Sequence, residues 1–331
     1  MIRKYWKIQV VILLAVLVLC GSYYYGVTRV TPQKERETYS VILYQHTDNE
    51  WAALTQGVHQ AEEDFGLEVN YITMGSEDNG QDQAELIKRE LRKNVDGILL
   101  AAADSEFLEK ELKKISGINN LLTVETGAGD GYVKISGDDY KMGYELGKKI
   151  AEDIKADEDT PAKEVLIVRE YLERDSVALR YEGLTDALSD SKGDFTVKEV
   201  ARGNGDFSLR LLIETRLVQS GIYVAALDKF CTEEAVAARE SKQKRVEKSA
   251  DGIKVYGIGN TAQIVSDLDS GRLEALVYQN EFNMGYEGIQ AIRSKSQKGY
   301  NLSEYDIPYK LVTRDTLYEK ENERLLFPSG V

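Results

Sequence analysis

From residue 39 onward, short apolar runs alternate with longer stretches of helical periodicity. Residues 39–44 (YSVILY) are apolar and include β-branched side chains, the pattern of a strand. Residues 50–65 repeat their apolar positions at helical spacing and stop at Gly66, a natural C-cap. Strands are expected next over 67–72, 97–101, 121–124 and 132–135, with helices over 81–93 and 105–115. A second series follows: a helix over 140–154, strands over 164–168, 196–201, 223–227 and 254–257, and helices near 177–189, 207–219 and 232–241. Strands alternating with helices of this length predict βαβ units and parallel sheets. Eight or more strands exceed one comfortable open sheet. The expected fold class is therefore α/β, two doubly wound parallel-sheet lobes, with a (β/α)8 barrel as the rival arrangement.

The N-terminus breaks this pattern. No charged residue occurs between Lys7 and Arg29, and the 21 intervening residues would span roughly 30 Å as a helix, about one hydrocarbon core. Trp6 at one end and Tyr23, Tyr24 and Tyr25 at the other fit interfacial belts, and Arg3, Lys4 and Lys7 place the N-terminus inside. The reading is a cytoplasmic segment 1–7, a transmembrane anchor 8–28, a polar stalk 29–38 and an extracytoplasmic body. A lipoprotein signal ending at Cys20 and a cleaved signal peptide are the alternatives. Leu19 is large for the position before a lipidated cysteine, and no small-x-small site follows the apolar run.

Composition narrows the function. Residues 1–37 carry six Lys/Arg and two Glu, leaving −18 on the remainder of a chain whose total is −14. So acidic a body disfavours nucleic acid and anionic membrane surfaces as partners. With two cysteines and two histidines in 331 residues, no disulfide framework or zinc spacing is present, and no cofactor or metal is expected. Gly127–Gly131 (GAGDG) lacks the lysine and the strand–helix setting of a phosphate loop and reads as a turn. The charged run 238–251 reads as a solvated helix end and loop.

Four segments resemble the type I periplasmic binding protein family, in its sugar-binding branch (ribose- and galactose-binding), related to the ligand-binding domains of LacI-like repressors. They are Asn94-Val95-Asp96-Gly97-Ile98-Leu99-Leu100 followed by Asp104-Ser105; Ser136-Gly137-Asp138-Asp139-Tyr140 with Gly143 and Gly147; Arg180-Tyr181-Glu182-Gly183; and Gln279 with Met284-Gly285-Tyr286 and Gly288. Their order and spacing match across roughly residues 39–315. On its own, the spacing of Gly143 and Gly147 suggests a helix lying close on a sheet. The resemblance implies one lobe over 39–136 and 280–305, a second over 137–279 and 306–325, a tail at 326–331, and a three-segment hinge. Ligand would lie at the C-terminal ends of the parallel strands, and closure around it would be the signal.

Candidate ligand-binding residues follow from the strand ends and the resemblance. Asp48 and Trp51 match a polar contact and a stacking aromatic; capping and core packing are their plainer roles. Glu50 stands where a second aromatic is common. Glu125-Thr126 replaces an Asp-Arg pair, so the forked arginine expected there is missing. Arg180 matches the second lobe's arginine, against a surface ion pair. Phe207 matches an aromatic contact or starts a helix. Asp228 contacts ligand or caps the next helix, Asn260 faces the cleft, and Gln279 serves hinge or ligand. Asp48, Glu50, Glu125 and Asp228 with one arginine would make an acidic cleft, suited to a small neutral polar, sugar-like ligand or a partly cationic one.

No nucleophile elbow occurs and the chain is not expected to be an enzyme; two cleft carboxylates leave an extracytoplasmic glycoside hydrolase as the remote alternative. A span in place of a DNA-binding motif excludes a repressor. The expected role is delivery of solute to an ABC permease, the alternative being ligand sensing for a membrane histidine kinase.

Overall fold

Alternation along each strand decides which side chains meet which layer. In β1 (Thr38–Leu43), Val41 and Leu43 enter one apolar cluster and Ile42 another. In β6 (Glu164–Val168), Val165 and Ile167 face one cluster, Leu166 and Val168 a second. Strands covered on both faces read as nearly continuous apolar runs. β3 (Gly97–Leu100), β4 (Leu121–Val124), β8 (Ile222–Ala226) and β10 (Ala275–Gln279) are buried throughout.

The computed structural model describes residues 6, 13–22, 36–45, 49–75, 79–115, 118, 120–160, 162–202, 208–245, 252–296 and 305–326. The chain divides into two units, Met1–Glu37 and Thr38–Val331. In the first, residues 13–22 form helix α1, with Leu13, Leu17, Val18 and Leu19 exposed. The span expected over 8–28 is thus described only in part. Among the described residues no helix is long and apolar enough to cross a membrane.

In the second unit the remaining strands are β2 (Glu68–Thr73), β5 (Lys134–Ser136), β7 (Thr196–Val200), β9 (Ile253–Ile258), β11 (Tyr305–Asp306) and β12 (Tyr309–Thr313). They form two six-stranded sheets, ordered β11-β5-β4-β3-β1-β2 and β12-β10-β9-β8-β6-β7. All pairs are parallel except β10 with β12. Two separate sheets exclude the single closed barrel. The helices are α2 (Ala52–Phe65), α3 (Gly80–Arg92), α4 (Ser105–Leu112), α5 (Asp139–Ala156), α6 (Asp175–Asp190), α7 (Leu209–Arg216), α8 (Lys229–Arg245), α9 (Ala262–Asp269), α10 (Glu281–Ser296) and α11 (Lys320–Leu326). Gly66 closes α2 at φ 64°, the left-handed cap that its sequence predicts.

Each lobe contains one helix pair in backbone contact. A Cβ on Gly143 would lie 2.0 Å from the Arg180 carbonyl oxygen, and one on Gly183 would lie 2.0 Å from that of Tyr140. The glycines of α5 therefore admit helix α6, not the sheet as their spacing had suggested. In the other lobe, a Cβ on Gly57 would lie 1.9 Å from the Phe282 oxygen and one on Gly285 2.1 Å from that of Leu54, which joins α2 to α10.

The chain crosses between the sheets three times, and the crossings bond to one another in a ring. Gly137 N–H donates to Gln279 Oε1 at 2.8 Å. Asn280 N–H donates to the Pro308 oxygen at 3.0 Å, and Ile307 N–H to the Ser136 oxygen at 3.1 Å. Because Asp306 still pairs with Ser136, the third crossing falls after residue 306.

Gly143→Ala should force α5 from α6 and lower stability by about 2–3 kcal/mol. Gly131→Ala, where nothing lies within 4 Å, should change it by less than ~0.5 kcal/mol. Urea unfolding of the two variants checks the contrast.

Candidate functional site

The strand ends of both sheets deliver a set of charged and aromatic side chains to one place. From the first lobe, Tyr44 follows β1, Glu50 and Trp51 precede α2, Glu125 follows β4 and Glu281 begins α10. From the second, Asp139 begins α5, Arg174 and Arg180 belong to the cap and body of α6, and Asp228 and Lys229 open α8. All ten are less than a tenth exposed. Glu125 has φ 59° and Tyr171, on the loop before α6, φ 55°, both in the left-handed region that non-glycine residues avoid. Such backbone costs on the order of 1 kcal/mol or more and concentrates at ligand-holding positions.

Arg180 is the hub. Its Nη2 donates to Glu125 Oε1 at 3.0 Å across the lobes, its Nε to Asp139 Oδ1 at 2.9 Å, and its Nη1 to the Leu227 oxygen at 3.4 Å. The Tyr44 hydroxyl donates to the other Glu125 oxygen, and the Trp51 indole N–H donates to the Tyr44 carbonyl. The Arg174 guanidinium sits 3.7 Å over the Tyr44 ring and 4.1 Å over the Tyr171 ring. Lys229 reaches from the second lobe to the Glu50 carbonyl at 2.6 Å and Glu281 Oε1 at 2.7 Å, 4.7 Å above the Trp51 ring. With its amide nitrogen turned toward Glu281, Asn260 lies 3.1 Å from each carboxylate oxygen.

Burial pushes the Glu125 carboxyl up, but Arg180, Lys229, the Tyr44 hydroxyl and Arg174 together bring it below the ordinary range. Asp139, Asp228 and Glu281 are raised, burial prevailing over Arg180 and Lys134, over the Cys231 N–H and Arg174, and over Lys229 respectively.

Two cavities flank this centre. One, of about 910 Å³, is lined by Ser105, Gly127, Lys134, Ser136 and Asp175 among others. The other, of about 510 Å³, is lined by Glu50, Asn260 and Glu281 with parts of α2 and α9.

The sequence-derived candidates divide as follows. Glu50, Trp51, Glu125, Arg180 and Asn260 meet at the centre or on its flank. Asp228 lies there too, but accepts the Cys231 N–H at 2.7 Å and so caps α8. Gln279 belongs to the ring of crossings. Asp48 and Phe207 lie outside the described residues. The pair after β4 holds no arginine, as its sequence indicates, and Arg180 reaches Glu125 from the opposite lobe. One expectation needs correction: three cations, Arg174, Arg180 and Lys229, enter the cleft rather than one arginine, although its buried carboxylates still outnumber them. Tyr44, Asp139, Arg174, Lys229 and Glu281 were not singled out. Each lies beside a strand end or in a first helical turn, and that position was the available signal.

A model of the periplasmic binding protein domain matches residues 39–299. Among solved structures, a carbohydrate-transporter solute-binding protein of Agrobacterium radiobacter in complex with D-arabinose is 19% identical at a TM-score of 0.76, over 89% of this chain and 100% of its own. The Caulobacter myo-inositol binding protein, bound to myo-inositol, is 14% identical at 0.73, over 89% and 99%. A sugar transporter of Clostridium phytofermentans is 20% identical at 0.67, over 83% and 98%. At these identities the likeness carries the fold. Curated protein sequences give no match.

Glu125→Gln should cost about 3 kcal/mol by leaving Arg180 short of a carboxylate. The pH dependence has a definite sign. A carboxyl lowered in the folded state stabilises fully above its ordinary value, 4.5, and loses that contribution as pH falls through the lowered one. The raised Asp139, Asp228 and Glu281 act oppositely, their cost being relieved as pH falls. The stability difference between wild type and Glu125→Gln, followed by urea melts from neutral pH to pH 3, should therefore shrink only below about pH 4.5.

Proposed function

The chain belongs to the periplasmic binding protein family, and on that premise we propose that it closes two lobes around a small neutral sugar or polyol outside the cytoplasm. The lobes are 39–136 with 280–306 and 137–279 with 307–325, the third crossing falling one residue later than the sequence placed it. As a member of a family of binding proteins, it holds its ligand without turning it over. The observation that carries the reading is the centre built from both lobes, where Glu125 of one bonds Arg180 of the other beside Trp51 and Tyr44. Carboxylates and guanidinium groups suit hydroxyls, and aromatic faces suit the apolar face of a sugar ring. The relatives solved with D-arabinose and myo-inositol support a polyol.

The N-terminal segment tethers the body to the membrane in this proposal. Its 21 charge-free residues have the length of a span, and residues 13–22 are helical with exposed apolar side chains. Tethering raises the local concentration of the receptor at a membrane partner. That partner is an ABC permease, in keeping with the transporter relatives; a sensor histidine kinase co-purifying in its place would reverse this assignment.

Titration calorimetry against neutral pentoses, hexoses and inositols should give binding, and phosphorylated or acidic counterparts should give none. Trp51→Ala should weaken the best ligand at least tenfold, ~1.4 kcal/mol. Binding confined to the phosphorylated or acidic compounds would reject the neutral-ligand reading. Separately, deleting residues 1–37 should move the body from the membrane pellet to the soluble fraction. Retention in the pellet would reject the tether.

A further inference from the structure

Helix α6, like α2, has no side-chain cap of its own, but its first N–H is bonded from the opposite lobe. Helices α3, α4, α5, α7 and α9 are each capped by a side chain of their own N-cap residue, Asn79, Asp104, Asp138, Ser208 and Thr261. At the N-cap of α6 stands Arg174, which supplies no side-chain cap. The first helical N–H, that of Asp175, donates instead to Ser105 Oγ of the opposite lobe at 3.0 Å. In return, the Ser105 N–H donates to the Glu173 carbonyl at 2.9 Å. The starts of α4 and α6 thus bond each other across the lobes.

The Asp175 carboxylate completes the connection. Its Oδ1 accepts from Thr126 Oγ1 at 2.9 Å and from the Gly127 N–H at 2.7 Å, and its Oδ2 accepts from Lys134 Nζ at 3.0 Å. All three donors lie in the first lobe. Lys134 also donates to Asp139 Oδ2 at 3.1 Å, and Asp139 is the carboxylate that holds Arg180 Nε. Consecutive residues after β4 therefore grip α6 at two heights. Glu125 takes Arg180, while Thr126 and Gly127 take Asp175. A helix held at its first residue by another body has the neighbouring residues placed as well, and here those include Arg174, just before it, and Arg180, about one and a half turns on.

We propose that Asp175, with Ser105 and Lys134, is an interlobe clasp that positions Arg174 and Arg180 and sets how far the lobes close. It deepens the proposed closure of the lobes and rests on it. The clasp lies at the wall of the 910 Å³ cavity, away from Trp51 and Lys229. Closure at the Trp51 side is consequently a remote readout of the clasp. Trp51 is 5% exposed, and Lys229 of the second lobe covers its ring. Only one other tryptophan, Trp6, occurs in the chain.

The test uses the full-length chain in detergent with Trp6→Phe, excited at the red edge where tyrosine does not absorb so that Trp51 is the emitter, and acrylamide as the probe. Asp175→Asn and Ser105→Ala are expected to raise the Stern–Volmer constant at least threefold. Ser105→Thr, which keeps the hydroxyl, should leave it unchanged, and Asp175→Glu should recover part of the protection. Far-ultraviolet circular dichroism confirms that each variant is folded. If Asp175→Asn does not fold, the comparison of Ser105→Ala with Ser105→Thr decides alone. Quenching of the folded variants within error of the parent would overturn the clasp. Because the probe is not a ligand, the outcome is separable from the proposed specificity. A clasp that responds while no sugar binds would reject the ligand class alone, and sugar binding with unaltered quenching would reject the clasp alone.

Discussion

A buried guanidinium must be matched by negative charge on several sides, and Arg180 finds its match in two different bodies. Asp139 belongs to its own lobe, Glu125 to the other. Neither lobe by itself completes the set, so the charge of Arg180 is fully compensated only where the two lobes meet. Removing a partner from a buried pair leaves an uncompensated ion, a loss of several kcal/mol. Other interlobe contacts follow the same logic at lower stakes. Lys229 crosses to Glu281 and the Glu50 carbonyl, and Arg174 crosses to the Tyr44 ring. Cations from the second lobe are received by acceptors and aromatic faces that lie mostly in the first.

That arrangement demands accurate placement of helix starts, and the packing supplies it. Gly143 meets the backbone of α6 at Arg180 itself, so the closest approach of the two helices occurs at the hub residue. Its counterpart in the other lobe, Gly57 against Phe282, lies one residue from Glu281. In both cases the missing Cβ lets two backbones touch near the cleft, where a small shift of a helix axis would move a charged group by a comparable distance. The bonded ring of crossings limits motion at the other boundary. Gln279 gives its side chain to that ring, which accounts for a buried polar residue at the end of β10.

Much of this was legible along the chain because parallel α/β folds repeat a local pattern. Apolar runs and amphipathic helices mark the elements, and the order of the motifs around Asp96, Asp138, Arg180 and Gln279 marks the two-lobed arrangement. Arg180 and Glu125 were visible as strand-end or motif residues. Arg174 and Lys229 were not, for a physical reason. A charged residue at a helix start is ordinarily solvated, and groups of the opposite lobe help to bury both of these. The antiparallel pairing of β12 with β10 and the contact of Gly143 with Arg180 are likewise tertiary facts, which no local periodicity encodes.

The charge balance at the centre constrains what can enter it. Each of the three cations is already engaged: Arg180 with Glu125 and Asp139, Lys229 with Glu281, Arg174 over two tyrosine rings. Five buried carboxylates, Glu50, Glu125, Asp139, Asp228 and Glu281, outnumber them. Burial raises three of the five, which is how a low-dielectric site relieves excess negative charge. A further anion would have to pull a cation from its carboxylate and deepen the surplus. Hydroxyl groups face no such conflict, since they donate to carboxylate lone pairs that the cations leave open and accept from guanidinium N–H groups without displacing them. The local field, more than the acidity of the whole body, is the physical argument behind the neutral hydroxylated ligand proposed above.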